Sequence, residues 1–280
     1  MTPTVQRPSA IGLIGLVVMA VYLWWRDLAW MAHMADALPI LAGFPLFFFL
    51  RGPAKPSVES RVASAEGREF LTSPAIGLLS LGIGLVLGAN FPLALGWTLL
   101  FFAWLAPSLD ADSRRRTARL LPLLLLSFPW LLQDGERIGW WFRLSGAWAT
   151  EHLFSLLGFA VERQGTLVLI QGIGIGVDAP CAGLNVLQSL LLAGTALAFV
   201  SPGGKRWRTV PLMVVLVGMA WLANVLRLLL LCFAALTYGI EFARGAFHTW
   251  GGLFALMLMF GLCAALFSRE GPRRRESEAR

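Results

Sequence analysis

Hydrophobic and polar positions fall into long blocks along the chain. Eight apolar runs stand out: Ile11 to Trp25, Ala37 to Leu50, Pro74 to Ala89, Phe91 to Ala106, Leu120 to Leu132, Leu184 to Val200, Val210 to Leu236 and Phe247 to Phe267. Crossing a hydrocarbon core takes about 20 apolar residues in a helix, fewer when polar turns cap its ends, so each run predicts a membrane span. The first run has the position of a signal peptide, but no small-residue cleavage site follows it, and it reads as a span. The third and fourth form a hairpin turned at Asn90-Phe91-Pro92. The fifth is short and carries Pro122 and Pro129. Between the runs, 51–73 and 107–119 read as polar loops, the latter with Arg114-Arg115-Arg116.

The pattern changes over Gln133 to Pro180, the longest connection. Ile138 to Ala160 mixes Trp140, Trp141, Trp148, Phe154 and Phe159 with Arg143, Glu151 and His152. Tryptophans prefer the membrane interface, so this stretch reads as an interfacial helix, with a ninth crossing as the alternative. Thr166 to Val177 then alternates with a period of two, the signature of a strand. Leu167, Leu169, Ile173, Ile175 and Val177 are expected on one face and Gly172, Gly174 and Gly176 on the other. A glycine face lets another backbone come close. The spacing does not fit a dinucleotide-binding loop.

Composition agrees with the blocks: 57% of the 280 residues are hydrophobic and 14% charged, with a mean hydropathy of +0.70. A soluble domain carries about a quarter charged residues. The net charge of +7 matters less than where the charges lie. With eight spans and the N-terminus inside, seventeen of the 23 Lys and Arg fall on the inner side and five on the outer, in line with the positive-inside rule. A ninth crossing at 138–160 would turn the Arg206 cluster and the C-terminal tail outward. No nucleic-acid motif appears, and the arginine clusters flank apolar runs. The three cysteines form no disulfide framework and no Cys-x-x-Cys pair.

Candidate chemistry centres on Asp178-Ala179-Pro180-Cys181-Ala182-Gly183-Leu184-Asn185. Pro180 and Gly183 break regular structure on both sides of the thiol, and an apolar helix begins at Leu184. The positive end of a helix dipole favours a thiolate. Cys232 and Cys263 lie inside apolar runs and read as packing residues. Arg227 and His248 are polar groups in apolar settings, and the same topology carries both to the outer end of the bundle with Cys181. Arg227 lies 17 residues beyond Val210, about 25 Å along a helix rising about 1.5 Å per residue. An intramembrane arginine costs at least about 2.5 kcal/mol and calls for a partner or a task. Each group alone has an ordinary reading: a packing thiol, an arginine snorkelling to headgroups, a structural histidine beside Trp250. Their shared level is what joins them. Together they make a nucleophile, an oxyanion-stabilising cation and a base. Asn224, one turn before Arg227, is placed to orient the arginine or a substrate.

The sequence Pro180-Cys181-Ala182-Gly183-Leu184, the pair Asn224-x-x-Arg227, and His248 ahead of a glycine-bearing last span resemble the exosortase/archaeosortase family. Members are multi-pass membrane proteins regarded as cysteine transpeptidases or proteases. The resemblance implies catalytic roles for Cys181, Arg227 and His248, with Gly183, Asn185 and Asn224 as supporting or substrate-binding residues. It implies no metal and no cofactor. The partners it implies are membrane lipid and exported proteins whose C-terminal signal joins a short motif, a hydrophobic helix and a basic cluster, typically of the PEP-CTERM type. The family often has Cys-Ser-Gly where this chain has Cys181-Ala182-Gly183, so no serine hydroxyl follows the thiol.

The expected architecture is an all-α polytopic membrane protein of about eight transmembrane helices, with a small extracytoplasmic β-hairpin or strand before the cysteine helix. Its parts are a five-span region (1–132), an extracytoplasmic connection (133–180), a three-helix catalytic region (181–267) and a charged cytoplasmic tail (268–280). The expected location is the plasma membrane, the inner one in a Gram-negative cell, with the active site outside. A transporter or a non-catalytic scaffold of an envelope assembly system is the alternative. A transporter predicts repeat symmetry and a broken mid-membrane helix, and the sequence has neither.

Overall fold

The computed structural model describes residues 9–31, 34–53, 74–176, 184–201, 209–243, 245 and 248–268. Most of the expected loop 51–73, the turn after Ser201 and the tail lie outside the described residues. The chain divides into two compact units, Met1–Gly135 and Glu136–Arg280.

In the first unit the long helices are α1 (Ala10–Trp25), α2 (Met34–Arg51), α3 (Pro74–Leu87), α4 (Asn90–Leu105) and α5 (Ala111–Leu126). The α3–α4 hairpin turns at Gly88-Ala89 rather than at Asn90-Phe91-Pro92, which is the first turn of α4. A proline within the first helical turn forfeits no intrahelical bond, so Pro92 marks a start and not a turn. Asp134 caps that start, its carboxylate accepting from Asn90 Nδ2 at 2.9 Å and from the Phe91 amide at 2.6 Å. The expected loop 107–119 is helical from Ala111 onward. Asp110 Oδ1 accepts from Ser113 N at 2.9 Å and caps the helix, so the arginine triplet rides on its first two turns. Arg116 Nη2 in turn donates to Leu50 O at 2.8 Å and closes the end of α2.

Close packing in this unit rests on small residues and aromatic rings. A Cβ on Gly96 of α4 would lie 2.8 Å from Gly77 O of α3, so the two backbones touch as small residues allow. Trp24, Phe44, Trp97, Phe101 and Phe128 form one aromatic cluster with centroid separations of 4.9–6.2 Å. The indole N–H groups of Trp24, Trp97 and Trp104 donate to Ser127 O, Leu16 O and Ser9 O, so these rings bury apolar area without leaving a donor unpaired.

The second unit holds α6 (Glu136–Leu156), a three-stranded antiparallel sheet, α7 (Leu184–Val200), α8 (Thr209–Tyr238) and α9 (His248–Ser268). One side of α6 is buried through Phe142, Ala147, Ala149, Thr150 and Phe154, while Trp140, Trp141 and Trp148 stay exposed. The buried side follows α8 lengthwise. Trp221 Nε1 donates to Ser145 Oγ at 2.9 Å, and Phe154 meets Phe233 at a centroid distance of 4.7 Å. The two helices therefore run in the same direction.

The single strand expected over 166–177 is two strands of a meander with a third ahead of them. β1 (Val161–Gln164), β2 (Leu167–Ile170) and β3 (Ile173–Gly176) lie in the order β1-β2-β3. Gln171 at φ 51° and Gly172 at φ 81° make the two-residue turn of a type I′ hairpin. The turn pairs Ile170 with Ile173 and Leu169 with Gly174, which reverses the expected faces. Val168, Ile170 and Ile175 are buried, with Ile173 packed beside them, while Leu167, Leu169, Gly174 and Gly176 share the other face. The buried face rests on Phe154, Leu228, Leu231, Cys232 and Ala235. An ion pair of 2.7 Å from Arg163 to Glu151 ties β1 to α6.

Among the described residues, two helices are long and apolar enough to cross a membrane by length and composition, Asn90–Ser108 and Val210–Tyr238. Five shorter apolar helices accompany them: Ala10–Trp25, Ile40–Arg51, Pro74–Leu87, Val186–Val200 and Leu253–Ser268. Their outer faces are strongly apolar, as at Val86, Leu87, Val214 and Phe254, a surface suited to lipid rather than water.

Candidate functional site

α8 is the backbone of the candidate site. Its buried positions Leu212, Leu216, Ala220, Ala223, Asn224, Leu228, Leu231 and Ala235 recur at three- and four-residue steps, the helical period of an inward stripe. Asn224 is the one amide in that stripe. Arg227 follows on its flank, half-buried. It lies about 27 Å from Thr209 along the helix axis at about 1.5 Å per residue.

Helix register supplies the geometry around it. Gly194 of α7 has no side chain where Leu216 of α8 fills the space. The eight residues 201–208 that join these helices make them antiparallel neighbours. Leu184 is ten residues before Gly194, so it comes level with Leu226. The start of α7, three residues after Cys181, thus stands beside Arg227. On the other side, Cys263 Sγ of α9 lies 3.4 Å from Met219 Sδ of α8. The same antiparallel count brings His248 level with Ala234, seven residues or about 10 Å beyond Arg227 at the helical rise. Cys181 and Gly183 lie outside the described residues, and Asn185 and His248 are described for their backbone only. The other two cysteines are buried: Cys232 in the core beneath the sheet, Cys263 against Met219.

Asn224 has no exposed surface, and among the described residues neither its Oδ1 nor its Nδ2 has a hydrogen-bond partner. A buried amide with nothing to bond to costs about 1–3 kcal/mol. Its setting explains how it is held. Gly146 on α6 leaves room for it, a Cβ there falling 3.6 Å from Asn224 Nδ2, and the Trp221–Ser145 bond one turn earlier fixes the approach of α6. Sequence reading found Asn224 but not the α6 residues that frame it; the signal was Ser145-Gly146, two small residues inside a tryptophan-rich helix.

The strand β3 ends at Gly176, and seven residues separate it from the start of α7. Because Leu228 belongs to the core under the sheet, the sheet stands at the level of α8 just beyond Arg227. The site region is therefore bounded by the sheet, the start of α7 and the middle of α8. No curated protein and no solved structure matches the chain. The family model for transmembrane exosortase matches residues 6–267, a span that takes in Cys181, Arg227 and His248, and the chain belongs to that family of membrane proteins.

Proposed function

We propose that the protein is a membrane-embedded cysteine peptidase or transpeptidase that cleaves a C-terminal sorting signal, of PEP-CTERM type, from exported proteins at the outer face of the plasma membrane. The observation that carries this reading is the helix register. Antiparallel packing of Gly194 on Leu216 brings the start of the cysteine helix level with Arg227. Orientation rests on charge: Lys205, Arg206 and Arg208 precede α8 and Arg269, Arg273, Arg274 and Arg275 follow α9, which puts those ends inside and the C-terminal half of α8 outward.

In this reading a substrate's hydrophobic helix enters the bilayer beside α7, α8 and α9, with its basic tail inside. The motif before that helix then sits at the outer leaflet. His248 takes the proton from Cys181, and the sulfur attacks the scissile carbonyl carbon. Arg227 steadies the oxyanion that forms. Collapse of the tetrahedral intermediate breaks the C–N bond. The amine leaves with the proton from His248, and the acyl group remains as a thioester on Cys181. Water or an acceptor amine then attacks the thioester and restores the thiol. Asn185 and Gly183 belong to the segment that presents the sulfur, and Asn224 is the positioning residue for Arg227 or for the substrate amide.

The test is co-expression with a reporter fused to a C-terminal sorting segment of PEP-CTERM type. The expected result is cleavage by the wild-type chain and none by Cys181→Ala or Cys181→Ser. Full cleavage by Cys181→Ala sinks the nucleophile assignment.

A further inference from the structure

The outer edge of β3 carries hydrogen-bonding groups that have no partner among the described residues. In a two-residue hairpin the residues flanking the turn form the hydrogen-bonded pair, and pairs then alternate between bonded and unbonded. Ile170 with Ile173 is therefore bonded, Leu169 with Gly174 is not, and Val168 with Ile175 is bonded again. The same count on the β1 side has Leu167 and Leu169 bonded to β1, and the bond from the Gln171 amide to Ala160 O at 2.9 Å continues it. Ile173 and Ile175 thus spend their backbone groups on β2. Gly174 and Gly176 point theirs away from the sheet, where among the described residues neither meets a partner.

Glycine at 174 has no structural reason inside the fold. Its φ is not left-handed, and an added Cβ would meet only Leu167 Cδ1, at an ordinary 3.7 Å. The missing side chain instead opens the outer face of the sheet, where half-buried Leu167 and Leu169 sit across from the glycines. A strand laid along β3 would find a floor there. A residue opposite Gly174 could extend its side chain over the glycine onto Leu169, the way aromatic residues cover glycine in sheets.

We infer that the free edge of β3 is the docking strand for the substrate, which adds as a fourth strand in an extended conformation and feeds its scissile bond towards the segment 177–183. This rests on the peptidase reading and goes beyond it by naming the recognition mode: main-chain pairing through Gly174 and Gly176, with preference for a large apolar side chain at the substrate position facing Gly174. The occupant is the extended stretch that precedes the substrate's hydrophobic helix. The chain itself points to it, because β3 runs into the cysteine segment with seven residues between strand and helix.

Gly174→Pro deletes one outward amide and no bond to β2; Gly174→Ala keeps the amide and serves as its control. With the full chain and the same reporter, Gly174→Pro should cut cleavage about tenfold, the worth of one main-chain hydrogen bond at a binding edge, while Gly174→Ala, which keeps the amide and only sets a methyl under the facing side chain, should cut it less. Alkylation of Cys181 by a maleimide should be the same in all three. A second measurement does not need turnover. Adding the reporter to the Cys181→Ala chain should slow amide exchange in 173–176 and not in 161–164. Cleavage by wild type with equal cleavage by Gly174→Pro and no protection of β3 overturns the docking strand and leaves the peptidase standing. Protection of β3 without cleavage by wild type supports the docking strand and overturns the peptidase. Absence of both effects overturns both.

Discussion

The two units of the molecule treat their buried polar groups differently. Among the described residues of the first, the wholly buried polar side chains are Thr98, Thr117 and Ser127, and each donates to the carbonyl four residues back; the atoms left without a partner, on Arg51, Asn90 and Arg114, belong to partly exposed residues. In the second, Thr150 and Thr195 do the same and Gln188 has a partner, but the Asn224 side chain makes no hydrogen bond among the described residues. The first unit's hairpin is closed by backbones in contact at Gly77 and Gly96; the second unit's sheet has an open edge at Gly174 and Gly176. Glycine thus does opposite work in the two places. Native folds leave few buried groups unsatisfied, and those they leave tend to mark sites that a ligand completes. Among the described residues, the one wholly buried polar side chain without a partner is Asn224 of the second unit, on the stripe that leads to the candidate site.

The largest way to sharpen that contrast is Arg227→Lys. A lysine keeps the charge but loses the planar fork that holds an oxyanion through two donors. Cleavage of the reporter should fall about 10²- to 10³-fold, the usual effect of removing an oxyanion donor. The level of membrane-inserted protein should be unchanged. Wild-type cleavage with lysine would leave Arg227 as a charge that merely reaches the headgroups.

Next comes Gly96→Val in the first unit. A Cβ there lies 2.8 Å from a backbone oxygen of α3, an atom that has no rotamer to escape into. Overpacking of this kind costs about 1–3 kcal/mol. The expected result is a lower unfolding temperature in detergent, with unchanged cleavage per folded molecule. If cleavage per folded molecule drops while stability holds, the division between a packing unit and a working unit fails.

The helices were legible because long apolar runs leave little choice, and their ends were less so. Asp110 is a good helix cap, but three arginines after it read as a loop, since burial and exposure cannot be told apart in a polar stretch beside a span. The sheet shows a different limit. Alternation from Leu167 to Val177 continues unbroken through Gln171-Gly172, so the period carries no trace of the turn. A two-residue turn exchanges the two faces, and with them the meaning of every odd-numbered residue. The clue was Gly165 and Gly172, turn residues at a spacing that suits short strands. Cys181, Arg227 and His248 stand out as candidates by residue type, and the helix register levels the start of α7, though not Cys181 itself, with Arg227. The empty surroundings of Asn224 were not, because what an amide fails to touch depends on neighbours from α6, far off in sequence.

Asn224→Leu is the smallest expected effect and the most direct test of the comparison. Leucine has nearly the shape of asparagine and no polar atoms, so it fits where Gly146 makes room and removes two groups that lack partners. Replacing unsatisfied buried polar groups by apolar ones of the same shape is neutral or stabilising. The thermal midpoint in detergent should therefore stay level or rise, by an equivalent of about 1 kcal/mol. Cleavage should fall about tenfold, because the amide that waits for Arg227 or the substrate is gone. A purely structural asparagine predicts the reverse pair, lower stability and intact cleavage. Opposite signs in the two measurements are the mark of a group kept for the bound state at the expense of the empty one. The Ser127 hydroxyl in the first unit gives the control. It is bonded already, to Leu123 O at 2.7 Å, so Ser127→Ala should lower stability slightly and leave cleavage alone.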